Sequence, residues 1–305
     1  MNIPIELWQQ ILNCSDLPTQ IQIIKVCKSF KRRLQIIDFY HIDHKYKWLL
    51  TDEILQRYPY LLYLDASHMG GYKITDEGIK HLKLKILNVS LNYNITDKGI
   101  KDMNLLELFT NSNPYITDNG IKYMNLRKLG AACNINITDK GISHLNLEKL
   151  NASGNINITG DGIKHMQLKS LFIVMHSGIT DKDLHKLKSS LQKLNISEND
   201  QITDDGIKDL KLTKLTAIYN TKITDQGISN MNLSIFSPGK KITNAGIQHM
   251  NLCSLYIDGC LGITDEGIKH LNLDKLTVEN NYNITYTINN GIKTYHYLKI
   301  YFIRI

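Results

Sequence analysis

Cysteine is sparse, and its pattern offers no pairing. Cys14, Cys27, Cys133, Cys253 and Cys260 are odd in number and contain no Cys-x-x-Cys pair. That argues against a disulfide framework or a cysteine zinc site, and for reduced thiols in an intracellular protein of the cytoplasm or nucleus. No window approaches 18 consecutive apolar residues, so no membrane span is expected. The opening "MNIPIELWQQ" lacks a basic stretch running into an apolar one, so no secretion signal is expected either. Nucleophile elbow, phosphate loop, His-Glu-x-x-His and paired-carboxylate constellations are all missing. The chain reads as non-catalytic, with no cofactor and no metal. Proline is scarce, at 5 residues, while Ile, Asn, Lys and Tyr are abundant, a bias suited to an AT-rich genome.

Hydrophobic residues make up 42% of the 305 and charged residues 21%, enough for a core and too apolar for disorder. The formal charge of +7 is spread along the chain. Its one dense tract, Lys25, Lys28, Lys31, Arg32 and Arg33, raises the question of nucleic acid. No aromatic stacking platform accompanies it, so a nucleic-acid partner is not expected.

The chain repeats itself. The Ile of Ile-Thr recurs at Ile74, Ile95, Ile116, Ile137, Ile158, Ile179, Ile202, Ile223, Ile242, Ile263 and Ile284, mostly 21 residues apart, and a degenerate copy starts at Leu50. Such a period marks a solenoid. In Leu147, Leu150, Ala152, Asn155 and Ile158, the two residues at 150 and 152 share one face of a strand. A strand this short must pair in parallel with its copies about 4.8 Å away, and eleven spacings give a curved sheet on the order of 50 Å long. Asn92, Asn113, Asn134, Asn155, Asn199, Asn220 and Asn281 suit turns whose backbone groups need partners. His176 and Cys260 replace that Asn and predict a weaker ladder. In Thr-Asp-x-Gly, Thr or Asp caps the short helix that follows and Asp complements its N-terminus. Gly admits a neighbouring backbone. This motif is architectural, since a catalytic Asp needs no eleven copies.

The pattern L-x-x-L-x-L-x-x-N resembles the leucine-rich repeat, and the "ITDxGI" tail resembles its cysteine-containing subclass, Cys260 being the nearest copy. The resemblance covers residues 50 to 305. It implies an α/β leucine-rich-repeat solenoid of about 11–12 repeats, a horseshoe with a parallel concave sheet and short convex helices. Some units depart from the pattern. "ITGDG" (158–162) shifts the Asp, "ITDKDL" (179–184) loses the Gly, "LSIFSPGKKITNAG" is two residues short, and "ITYTINNGI" carries an insertion before Gly291. The end, "LKIYFIRI", reads as a final strand capping the stack.

Residues 1 to 40 do not repeat, and 41–49 read as a linker. Leu7 and Ile11 lie four apart, and Ile23, Val26, Cys27, Phe30 and Leu34 form an apolar helical stripe. Some 40 residues are too few for an independent core, so this all-α unit must lean on the solenoid, on a partner, or on both. "IPIELWQQILNCSDLPTQIQIIKVCKSFKRRL" resembles an F-box. Ile3, Pro4, Glu6 and Leu7 match its opening, Ile11 and Leu12 follow at the family spacing, Leu17 and Pro18 match its break, and Val26, Cys27, Lys28 and Phe30 match its close. Ser15 stands where an apolar residue is usual, and Phe30 where Trp is usual. The resemblance implies a substrate receptor of an SCF-type cullin-RING ubiquitin ligase. Ile3, Pro4, Leu7, Ile11, Leu12, Leu17, Ile23, Val26, Cys27 and Phe30 would dock the ligase adaptor, which binds the cullin, and the repeats would hold a target protein. The composition is also similar to F-box proteins of large DNA viruses, which would redirect host ubiquitination.

On the strands, residues flanking the inward positions face the concave surface. Most are small and polar. Phe109, Phe172, Val174, Ile218 and Tyr256, with Asp258, stand out as a target-binding patch, or else pack against one another. Lys128, Lys149, Lys193, Lys214 and Lys275 form a basic edge, partly offset by Glu107, that either guides an acidic partner or keeps the chain soluble. His81, His144, His165, His249 and His270 share one repeat position, but no Cys or carboxylate joins them at ligand spacing. The rival to the ligase reading is a stand-alone interaction scaffold whose N-terminal helices only cap the solenoid.

Overall fold

The structure is a computed structural model that describes residues 5–13, 15, 17–25, 35–41, 47, 49–67 and 73–295. By internal contact it divides into residues 1–147 and 148–305.

The first unit begins with helices α1 (Ile5–Asn13) and α2 (Leu17–Lys25). Strands β1 (Asp38–Phe39), β2 (Tyr63–Asp65), β3 (Ile86–Asn88), β4 (Glu107–Phe109) and β5 (Lys128–Gly130) follow, each parallel to the one before. Leu64, Leu87, Leu108 and Leu129 are aligned by this register and all are buried. The second unit continues the pattern with β6 (Lys149–Asn151), β7 (Ser170–Phe172), β8 (Lys193–Asn195), β9 (Lys214–Thr216), β10 (Ile235–Ser237), β11 (Ser254–Asp258) and β12 (Lys275–Glu279). Its aligned core column is Leu150, Leu171, Leu194, Leu215, Phe236, Leu255 and Leu276. A four-residue helix follows most strands and packs its Ile inward, as Ile121 and Ile207 do. The parallel sheet and short helices are those of a leucine-rich-repeat solenoid.

The end of the sheet differs from the sequence expectation. "ITYTINNGI" is no mere insertion. It forms β13 (Tyr286–Asn289) and β14 (Ile292–Tyr295), an antiparallel hairpin on β12. Asn290 (φ 49) and Gly291 (φ 74) make its two-residue turn, where both central residues need a left-handed backbone. The expected cap strand, Leu298–Ile305, lies outside the described residues.

After most strands the chain turns through a left-handed residue just before the Asn position. Leu91, Ser112, Cys133, Met175, Glu198, Tyr219 and Asn280 have φ between 49° and 61°. Such a backbone costs a non-glycine residue roughly 1–2 kcal/mol. Bonds to the next repeat hold it: Leu91 N–H donates to Asn111 O at 2.9 Å, and Glu198 N–H to Ile218 O at 2.9 Å. The Asn side chains then bridge repeats. Asn113 Nδ2 donates to Asn92 O at 2.6 Å and Ile95 O at 3.2 Å, while its Oδ1 accepts from Tyr115 N–H at 3.0 Å. At the substituted position Cys260 gives one such bond, Sγ to Ile242 O at 3.1 Å, and burial pushes its thiol up to about 11.

The Thr-Asp-x-Gly motif works between repeats as well as within one. Thr117 Oγ1 accepts from Asn119 N–H at 3.2 Å, capping its own helix. The Asp points onward: Asp97 Oδ1 accepts from Thr117 N–H at 2.7 Å and Oδ2 from its hydroxyl at 2.6 Å. The same clasp joins Asp76 to Thr96, Asp118 to Thr138, Asp204 to Thr224 and Asp265 to Thr285. The expected Asp role at its own helix is thus joined by this bridge. A Cβ on Gly120 would overlap the Asp97 carboxylate, so the Gly makes room for a side chain as well as a backbone.

The two irregular motifs repair each other. Gly160 stands where an Asp should reach Thr180. Asp183 stands where a Gly should leave room. Asp183 instead folds back on its own repeat, its Oδ2 accepting from Thr180 N–H at 3.0 Å and from the hydroxyl at 2.9 Å. A Cβ on Gly160 would overlap this carboxylate. Asp183→Gly removes the acceptor of both Thr180 donors, which are exposed to water, and is expected to cost about 0.5–1.5 kcal/mol. Gly160→Asp alone should cost about 1–3 kcal/mol by crowding. The double variant regenerates the ordinary clasp, so urea unfolding should place it closer to the parent than either single variant. Additive losses would contradict the account.

Candidate functional site: an exposed helical edge and the open face of the sheet

Helix α1 divides its apolar residues. Leu12 is fully buried, while Leu7 and Ile11, one turn apart, are 47% and 42% exposed. Gln9 ties the helix to Gln35 by two bonds, Nε2 to Gln35 O at 2.8 Å and Gln35 N–H to Oε1 at 3.0 Å. Leu12 therefore serves the chain's own packing and has no surface to give an adaptor, a correction to its place in the docking set. Ile23 is half-buried on α2, and Leu17 opens that helix. Ile3, Pro4, Val26, Cys27 and Phe30 lie outside the described residues. An apolar cavity of about 470 Å³ is lined by Pro18, Ile21 and Gln22 of α2 with Phe39, Leu50 and Tyr58.

The face of the sheet turned away from the helices is open. In the first unit the chain covers part of it. Tyr40, just after β1, sets its ring 6.3 Å from that of Phe109. Burial raises the Tyr40 phenol, and the Asp65 and Glu107 carboxylates add to the shift. Lys47 pairs with the buried Asp65, and Lys128 with Glu107. Lys128 is thereby neutralised, so the basic edge is carried in the second unit by Lys149, Lys193, Lys214 and Lys275.

In the second unit Phe172 is 40% exposed, and Val174, Ile218, Tyr256 and Asp258 are half-buried. Asp258 accepts a hydrogen bond from the Tyr219 hydroxyl and another from Asn280 Nδ2 at 2.8 Å. Those two bonds, the tyrosine's first, hold its carboxyl below the ordinary range, and the Lys240 ammonium adds to the shift. The bond to Asp258 in turn raises the Tyr219 phenol, to which the Glu279 and Glu198 carboxylates contribute. Lys240 lies 5.3 Å from the Tyr219 ring centre and Lys275 lies 5.2 Å from that of Tyr256.

Sequence reasoning missed Tyr40, Tyr219 and Asn280. The last two occupy the left-handed column, which a repeat alignment displays but whose outward direction only the turn reveals. It also missed the exposed apolar residues just after the Asn column, such as Tyr93, Ile135 and Ile156. The histidine column finds a structural use: His249 and His270 ring nitrogens lie 3.1 Å and 3.0 Å from the Met231 and Gln248 carbonyls of the preceding repeat. Among the described residues no group of His, Cys, Asp and Glu could hold a metal, and no helix is long and apolar enough to cross a membrane.

Comparison with known proteins decides what the two parts are. Residues 1–42 match the F-box domain, and residues 80–103 and 188–211 match the leucine-rich repeat. The chain carries an F-box and leucine-rich repeats. No curated protein matches the sequence. Among solved structures, a chain in the crystal structure of the Rad7 and Elc1 complex in yeast is similar in fold. The TM-score is 0.59 at 15% identity, covering 88% of this chain and 79% of that one.

Tyr219→Phe removes the first of the bonds that hold Asp258 down, so the Asp258 titration midpoint should rise, as read by carboxylate NMR. A depressed carboxylate stabilises the fold above its unfolded pKa and loses that contribution as pH falls through the folded value. The variant should therefore lose stability near neutral pH and not in strong acid. An unmoved midpoint would remove the assigned cause.

Proposed function

We propose that this protein is a non-catalytic substrate receptor of an SCF-type ubiquitin ligase. In this reading the F-box docks a small adaptor, which connects to the cullin, and the open face of the repeats holds the target protein. One observation carries it: within the F-box match, Leu7 and Ile11 stay exposed after the helices have packed on their own chain. Neighbouring apolar side chains left in water on a short helical unit favour burial by a partner. The similar yeast structure is of a complex between Rad7 and Elc1, which accords with a partner protein bound to this fold. The rest of the proposed adaptor surface is Ile3, Pro4, Leu17, Ile23, Val26, Cys27 and Phe30. An intracellular setting accords with this role, and the AT-rich composition with a large DNA virus whose receptor would redirect host ubiquitination.

The rival, a scaffold whose helices merely cap the solenoid, draws on Leu12 and the Gln9–Gln35 bonds. It leaves the exposure of Leu7 and Ile11 without a use.

Leu7→Asp and Ile11→Asp should each keep the fold, because both side chains face solvent, and lower adaptor capture from eukaryotic lysate at least tenfold. Leu12→Asp should instead unfold the helical unit. Undiminished capture by both surface variants would refute the docking edge.

A further inference from the structure

The open face of residues 148–305 carries a group of carboxylates that the described residues neutralise only in part. Asp258 and Glu279 are register partners on the adjacent parallel strands β11 and β12. Like charges placed side by side on a sheet destabilise it. Glu198, at the left-handed position after β8, adds a third carboxylate, which with the other two acts on Tyr219. Tyr219 and Asn280 hold Asp258 by hydrogen bonds that bring no charge, and the Lys240 ammonium adds only a smaller attraction. Among the described residues Glu198 and Glu279 have no ion-pair partner. Apolar surface lies among these carboxylates: Ile218 and Tyr256 are half-buried on the same face, and Tyr219 is 42% exposed.

The first unit shows what this kind of face accepts. Asp65, Phe109 and Tyr256 occupy the same position in their strands, directly after the buried leucines Leu64, Leu108 and Leu255. On Asp65 and Phe109 the chain lays its own segment, with Lys47 paired to the carboxylate and Tyr40 against the ring. The rings of the second unit are likewise set to receive cations. Lys240 and Lys275 stand over Tyr219 and Tyr256 from exposed side chains that an incoming group can displace. Aromatic faces attract ammonium and guanidinium groups, and flanking carboxylates complete such a site.

We propose that the target segment held by the second unit is basic, with lysine or arginine heads received by Glu198, Asp258 and Glu279 and their aliphatic stems lying on Ile218, Tyr219 and Tyr256. This rests on the receptor reading for its biological use and names the chemistry of the target. Lys149, Lys193 and Lys214 start their strands at the opposite rim of the face. A basic segment is thereby confined to the acidic rim.

The test uses the full chain and two fluorescein-labelled octapeptides, one alternating lysine with serine and the other glutamate with serine, followed by anisotropy. The overall charge of +7 repels the lysine peptide, so its binding reports the local patch. The lysine peptide should bind. Combined Glu198→Lys, Asp258→Lys and Glu279→Lys should weaken it at least tenfold, whereas combined Lys149→Glu and Lys193→Glu should not weaken it. Glu198→Gln with Glu279→Gln spares the Tyr219–Asp258–Asn280 bonds and should give an intermediate loss, which separates charge from folding. No binding of the lysine peptide, equal binding by the triple variant, or preference for the glutamate peptide overturns the proposal. Adaptor capture by the same preparation is scored alongside. Its failure tells against the receptor reading alone, and its success without peptide binding tells against the basic target alone.

Discussion

A carboxylate that reaches from one repeat to the threonine of the next is the constraint on which the helical side of this structure depends. Asp97 holds both the N–H and the hydroxyl of Thr117, and Thr117 caps its own helix with the same oxygen. A four-residue helix is far below the length at which helices persist in water. It persists here because its N-terminus is fastened to a neighbour and its Ile is buried. On the opposite side the Asn ladder does the same for turns strained by left-handed residues. Neither ladder can form in a single copy, so the stability of a repeat is largely the stability of its interfaces.

This division leaves the sheet's other face free. Core positions are filled by Leu, Ile and Ala, turns by Asn, and helix starts by Thr, Asp and Gly. The residues between the core positions on the strands are released from structural duty and vary: Asn88, Phe109 and Gly130 form one column in the first unit, and Asn151, Phe172, Asn195 and Thr216 form one in the second. Function is placed where the repeat imposes nothing. The first unit uses that freedom to seat Tyr40 and Lys47, and the second gathers Tyr219, Asp258 and Glu279 around hydrogen bonds to Asp258, with Lys240 over the Tyr219 ring.

The helical N-terminus follows a different logic. Its two described helices are too few to hide every apolar side chain, and the structure buries Leu12 while leaving Leu7 and Ile11 in water. Four residues separate Leu7 from Ile11 and five separate it from Leu12. The turn of about 100° between adjacent helical positions decides which one joins the core.

Much was legible in the sequence because a 21-residue period admits few interpretations. The parallel strands, the inward Leu and Ile columns, the Asn turns, the Thr caps and the F-box resemblance follow from spacing and residue type. What tertiary structure alone decided are the relations between residues in different repeats. Gly160 and Asp183 look like two separate defects along the chain and form one repaired clasp in space. Tyr40 and Phe109 are 69 positions apart yet their rings meet, and the Asn290–Gly291 turn reverses the last strands. Periodicity encodes what every repeat has in common, because each copy faces the same neighbours. Pairings unique to one place depend on how far the stacked backbone carries two side chains toward each other, which is a property of the packed molecule and of no local stretch.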